Sequence, residues 1–320
     1  MHAEQWERLC SIVAGGYDGG AVSGFIIDSP WLPNWAGYSI LDYYASESVW
    51  FHAHENALAR FPEAMFLPGF WAEYGLCTEP SAFGAKCIWA ENEFPFAARV
   101  LHSLETTGTL VQPNPKTDGL APFVIKRLQL CQARIADLGH AIRFAVARGP
   151  LNIAGFLMGN TELMLGIKLE PDAVHGLLEV ITGYLREWLQ WQKEMFPSIE
   201  GIFLLDDLVG FCGEPDFLEF AKPYLRRLYG AFDAKIRFFH NDAHGLVCAP
   251  HLAEMGVNLF NFSHEHSFGE MRRLVGPSVA LLGNIPPRDI LAQGTPDEVR
   301  ACAGRLLEEA REERRVIFSC

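Results

Sequence analysis

Residues 235–284 read KIRFFHNDAHGLVCAPHLAEMGVNLFNFSHEHSFGEMRRLVGPSVALLGN. Three apolar runs (235–239, 257–262 and 278–282) are parted by polar loops and amphipathic stretches. Mainly apolar runs of five or six residues have the length of a buried strand. Gly256 ends the segment before the second run and Gly276-Pro277 ends the one before the third, both acting as helix stops. No turn pair marks a hairpin between the runs, so they read as successive βα modules of a parallel sheet.

The same module extends outward. Strands are expected at 142–147 (IRFAVA), 201–205 (GIFLL) and 315–319 (RVIFS). Helices are expected over 172–196, opened by Glu170-Pro171, over 216–232, and after the cap Thr295-Pro296-Asp297-Glu298. Toward the N-terminus the pattern loosens, with strands at 22–27 and 64–67 separated by aromatic-rich loop and helix. Eight such units in 320 residues fit one α/β domain, a (β/α)8 (TIM) barrel over 1–320, with residues 1–60 as an aromatic-rich N-terminal elaboration. A doubly wound sheet would normally carry a Gly-rich phosphate loop after its first strand, whereas Gly15-Gly16 and Gly19-Gly20 precede it here. The chain ends on the eighth strand without an outer helix. That points to a shortened chain or to a covering partner, such as a second copy in a homodimer.

Lys and Arg number 26 against 39 Asp and Glu, a formal charge of −13. No basic face for nucleic acid is visible, and no apolar run reaches the ~18 residues of a membrane span. The eight cysteines form no CxxC pair, and the chain opens on the mixed-charge MHAEQWERLC. Reduced thiols and a cytoplasmic location are the expectation.

Barrel chemistry sits at the carboxyl ends of strands. The polar residues there are Asp28, Asp206-Asp207, His240-Asn241-Asp242-Ala243-His244, His264-Glu265-His266, Asn284 and Cys320. His240 and Asp242 alternate at a strand end and could reach one metal ion, joined by Cys320, His264, Glu265 or His266; equally, His240 could cap its strand and Asp242 the next helix. For Asp206 and Asp207 the readings are an acid/base pair, or one residue facing inward while the other binds loop backbone. Phe25 to Phe51 holds eight aromatics, Trp31 and Trp35 among them, and no Lys or Arg. It reads as a pocket wall or as a plug over the barrel floor.

The segments ARGPLNIAGFLMGNTELMLGIKLEPDAVHGLLEVIT (147–182), DDLVGFCGEPDFLEFAKPYLRRLYG (206–230), HNDAH (240–244), GVNLFNFSHE (256–265) and LLGNIPPRDILAQGTPDEVRA (282–301) together resemble the uroporphyrinogen decarboxylase superfamily. It includes porphyrinogen decarboxylases and cobalamin-dependent methyltransferases, and the resemblance implies the same barrel. In the decarboxylases an arginine-rich stretch follows the first strand and a catalytic Asp follows the second. Here residues 1–59 hold Arg8 as their one Lys or Arg, and Pro68-Gly69 stands where that Asp would fall. A polyanion is poorly served by such a rim.

In the methyltransferases the resemblance implies a zinc site of His-x-Cys after the fifth strand and Cys after the eighth. His240-x-Asp242 and Cys320 occupy the comparable places. The expected function is zinc-dependent methyl transfer between a small methylated substrate, an aromatic ether suiting the N-terminal wall, and a thiol or a corrinoid (cobalamin) carried by a partner protein. Asp206, Asp207 and Glu265 are the expected catalytic acids. Asp28, Trp31, Trp35, Asn241, His264 and Asn284 are expected at the substrate, and His240, Asp242 and Cys320 at the metal. Porphyrinogen decarboxylation and a non-catalytic corrinoid- or tetrapyrrole-binding module are the alternatives.

Overall fold

The computed structural model describes residues 1–27, 30–104, 108 and 110–320, so Asp28 lies outside the described residues. All eight expected barrel strands form: β1 (Gly24–Ile26), β2 (Met65–Leu67), β3 (Phe144–Arg148), β4 (Gly201–Leu205), β5 (Ile236–Asn241), β6 (Leu259–Phe262), β7 (Ala280–Asn284) and β8 (Val316–Ser319). Strands β3 to β8 pair in parallel in chain order. β1 and β2 form a second parallel pair. The backbone N–H of Phe318 donates to the Val22 carbonyl at 2.9 Å, joining β8 to the start of β1. The result is a (β/α)8 barrel. Among the described residues no ladder joins β2 to β3; there Met65, Leu67 and Phe144 meet in the interior core.

Side chains on a strand alternate between faces. Phe203, Phe238, Leu259, Leu282 and Ile317 point into the barrel, where the Phe203 and Phe238 rings stack at 4.3 Å. Their neighbours Ile202, Leu204, Phe239, Phe260 and Leu281 join the outer core against the helices. This two-residue period fixes which polar residues reach the mouth.

The barrel floor is closed by the helix Ala3–Ala14, which buries Trp6, Leu9, Ile12 and Val13. Trp6 meets Phe144 edge-on at 5.5 Å. The aromatic segment therefore does not plug the floor. It belongs to the β1–β2 crossover, which must run outside the sheet. There Tyr43, Trp50 and Phe51 are buried in the outer core, and the Arg134 guanidinium lies 3.8 Å from the centre of the Phe51 ring.

The helix expected over 172–196 is observed as Pro171–Met195, and Thr295 with Glu298 forms the capping box of Pro296–Glu309. The helix expected over 216–232 is broken into Glu214–Asp216, a π turn Phe217–Ala221 and Lys222–Tyr229. Pro223 has no N–H to continue a regular helix across that point. A two-residue hairpin, Cys87–Ile88 with Phe96–Ala97, is too short to carry a periodicity in sequence.

Candidate metal centre

Carrying the inward parity of β4 to β7 past their apolar residues brings Asp207, His240, Asn261 and Asn284 to the top of the interior column. Asp206 and Asn241 have the opposite parity. His240 Nε2 lies 3.6 Å from Asp207 Oδ1 and 4.0 Å from Asp242 Oδ1. One ligand atom from each of the three fits within a 4.8 Å cluster. Donors at about 2.1 Å around a tetrahedral ion stand roughly 3.4 Å apart, so drawing the cluster together would let all three share one ion with a fourth position open. Asp207 Oδ1 is buried without a hydrogen-bond partner. Such an orphaned acceptor beside an imidazole is what a cation would satisfy.

The imidazole is oriented from behind. His240 Nδ1 is 2.5 Å from Asn261 Oδ1, and the Asn261 amide donates to the carbonyls of Leu282 (3.0 Å) and Cys320 (3.3 Å). Because that amide must donate to two carbonyls, its oxygen faces His240. Nδ1–H then donates to Asn261, which turns Nε2 toward the two carboxylates. Asn152 does a similar service for Asp207: its Nδ2 is 3.4 Å from Asp207 Oδ2, while its Oδ1 accepts from the Leu208 N–H at 3.0 Å. Neither asparagine is among the residues expected from sequence. The signal was an amide inside an apolar run, VNLFNF for Asn261, which also holds Asn258, and PLNIAGFLM for Asn152. If a divalent metal binds at this cluster, Asn261→Leu should weaken it roughly 10- to 100-fold with the fold retained, as read by calorimetric titration.

Asp206 is fully buried. Its carboxyl oxygens accept from the N–H groups of Leu151 (3.0 Å) and Asn152 (2.9 Å), capping the helix Pro150–Met158. A Cβ on Gly149 would fall 2.2 Å from Asp206 Oδ2, so glycine lets the cap approach. Burial pushes the carboxyl up to about 8, against the two N–H bonds that pull it down. In the unfolded chain it ionises near 4. The folded form therefore holds its proton longer, and this contribution to stability is present below about pH 4 and lost as pH rises through about 8. Unfolding titrations of wild type and Asp206→Asn across pH 5–9 should show that downward slope in wild type and not in the variant.

The remaining expected residues lie outside the three-residue ligand cluster. Asn241 is buried, and its Oδ1 accepts from the Ala243 N–H at 3.1 Å, shaping the loop. Glu265 is exposed and pairs with His244 at 3.3 Å, with His264 exposed beside it. Asn284 is buried, donates to the His266 carbonyl and leaves its Oδ1 without a partner. Trp31 and Trp35 stack on each other at 5.4 Å on the outside of the β1–β2 crossover, 45% and 37% exposed. Cys320 is not in the three-residue ligand cluster. Burial raises its thiol pKa, as does the nearby Asp242 charge.

A (β/α)8 barrel with a His/Asp cluster on its carboxyl rim defines the class of protein. The sequence matches the uroporphyrinogen decarboxylase (URO-D) family model over residues 35–320, and the chain belongs to that family. It is 27% identical over 247 residues to uroporphyrinogen decarboxylase from Desulfotalea psychrophila, covering 74% of this chain and 69% of the relative. It is 24% identical over 249 residues to the Aromatoleum aromaticum enzyme, covering 73% and 66%. Among solved structures it is similar to a methyltransferase from Methanosarcina mazei, with a TM-score of 0.79, 16% identity, and coverage of 98% of this chain and 91% of that one. That likeness speaks to the fold. Among the described residues no helix is long and apolar enough to cross a membrane.

Proposed function

We propose that the protein is a zinc-dependent methyltransferase moving a methyl group between a small methylated substrate, of the aromatic ether class, and a thiol or a corrinoid carried by a separate protein. The observation that carries this reading is the convergence of His240 Nε2 with the carboxylates of Asp207 and Asp242, backed by Asn261. These three residues would hold the ion, and zinc there would supply Lewis acidity to a heteroatom of substrate or acceptor. Two carboxylates and an imidazole balance a dication with hard donors, which suits an oxygen atom better than the His-x-Cys pattern implied by the family resemblance. Asn261 holds the His240 ring with Nε2 toward the centre, and Asn152 holds Asp207 turned toward it. Glu265, beside His244 at the mouth, exchanges the substrate proton with solvent. Asp206 takes no part, since both its oxygens serve backbone N–H groups.

Decarboxylation is the second reading, favoured by the uroporphyrinogen decarboxylase relatives. Against it stand the single Arg8 in residues 1–59 and Pro68-Gly69 after β2. Incubation of the zinc-loaded protein with a methylated corrinoid and thiol or phenol acceptors should give the absorbance change of demethylation. A parallel incubation with uroporphyrinogen should leave its carboxylates intact; stepwise carboxylate loss with no demethylation would overturn the proposal.

A further inference from the structure

We propose that a side pocket walled by Tyr44, Tyr74, Trp89 and Phe123 and backed by Arg127 binds a small aromatic monocarboxylate, independently of the metal centre. The cavity measures about 530 Å³, well within the range of small-molecule sites. It lies between the β1–β2 crossover, the loop after β2 and the helix Ala121–Asp137, and none of Asp207, His240 and Asp242 lines it.

Its walls form an aromatic corner. The Tyr44 and Tyr74 rings lie 5.8 Å apart, and Trp89 meets them edge-on at 5.9 and 6.3 Å. Trp89 and Phe123 remain exposed at the mouth. A flat, apolar ring is the ligand body such walls favour.

The anionic end follows from Arg127. Its side chain is buried, and its guanidinium sits 4.8 Å from the centre of the Tyr74 ring. Nη2 donates to the Tyr44 carbonyl, while Nη1 is buried without a hydrogen-bond partner. A desolvated cationic N–H with no acceptor is costly, and a carboxylate oxygen would relieve it with a charge-assisted bond. Lys126 adds a second positive charge and Glu47 one negative, so the lining carries a net charge of 2 − 1 = +1 in a chain of −13. One carboxylate is the charge that balances this lining.

Calorimetric titration of the intact protein with 4-methoxybenzoate and with its neutral methyl ester tests this. The acid should bind at least about tenfold more tightly than the ester, from one charge-assisted bond. Trp89→Ala, at an exposed position, should weaken the acid about tenfold by removing a wall, and Lys126→Ala severalfold. His240→Ala should leave this binding unchanged, which separates the pocket from the metal centre. Absence of binding at millimolar acid, equal affinity for acid and ester, or unaltered affinity in Trp89→Ala would overturn the proposal.

Discussion

On the proposed function, His240→Ala is expected to abolish zinc binding and to lower methyl transfer at least 100-fold, with the melting transition of the metal-free protein nearly unmoved. Removing a residue that only orients a metal ligand costs roughly 10- to 100-fold, so losing the ligand itself should cost no less. Here the loss is compounded. His240 supplies the one nitrogen donor of the cluster, and without it Asp207 and Asp242 face each other as uncompensated carboxylates. The fold should tolerate the change because His240 sits at the rim with its side chain 17% exposed, above the packed Phe238 layer. Activity assay, metal analysis and thermal unfolding on the same preparation separate these effects.

Asp206→Ala is expected to behave in the opposite way. It strips the acceptors from two buried N–H groups, those of Leu151 and Asn152, and removes the cap of the helix Pro150–Met158. An orphaned buried donor costs about 1–3 kcal/mol and a lost cap about 1 kcal/mol, overlapping terms that suggest a total near 3 kcal/mol. Urea denaturation should show the midpoint falling with an unchanged slope. Zinc affinity of the folded fraction should change far less than in His240→Ala. Two adjacent aspartates thus divide, one to cap the helix Pro150–Met158 and one to face His240.

That division was open in the sequence and is resolved by strand parity. A period of two assigns opposite faces to residues 206 and 207, yet which face is inside depends on the register of β4 against β3 and β5. Phe203 and Leu205 fall inside, so Asp207 does too. The barrel itself was legible because each strand lies in a short, mainly apolar run ended by loop punctuation, and all eight runs form strands. The function of the aromatic segment was less legible. Composition shows that Phe25 to Phe51 must be buried or cover something, but the choice between a pocket wall and a plug over the floor depends on which helix reaches the floor. Helix Ala3–Ala14 does, and the aromatics pack outside.

The metal cluster was legible in part. His240 and Asp242 were apparent from their alternation at a strand end. Asp207 enters from the neighbouring strand, a contact set by β4–β5 register and beyond local pattern. Asn261 and Asn152 were missed because an amide in an apolar run reads locally as a defect; its meaning appears only once its partners are in place. Cys320 shows the converse. Its backbone carbonyl holds Asn261, a role no side-chain motif could announce.

The most direct test of the metal assignment is zinc stoichiometry and coordination in the wild-type protein after dialysis, by elemental analysis and zinc-edge X-ray absorption. One equivalent of zinc per chain, bound through nitrogen and oxygen donors only, is the predicted result. Protein that retains no zinc after loading, or zinc held through sulfur, would contradict a centre built on Asp207, His240 and Asp242.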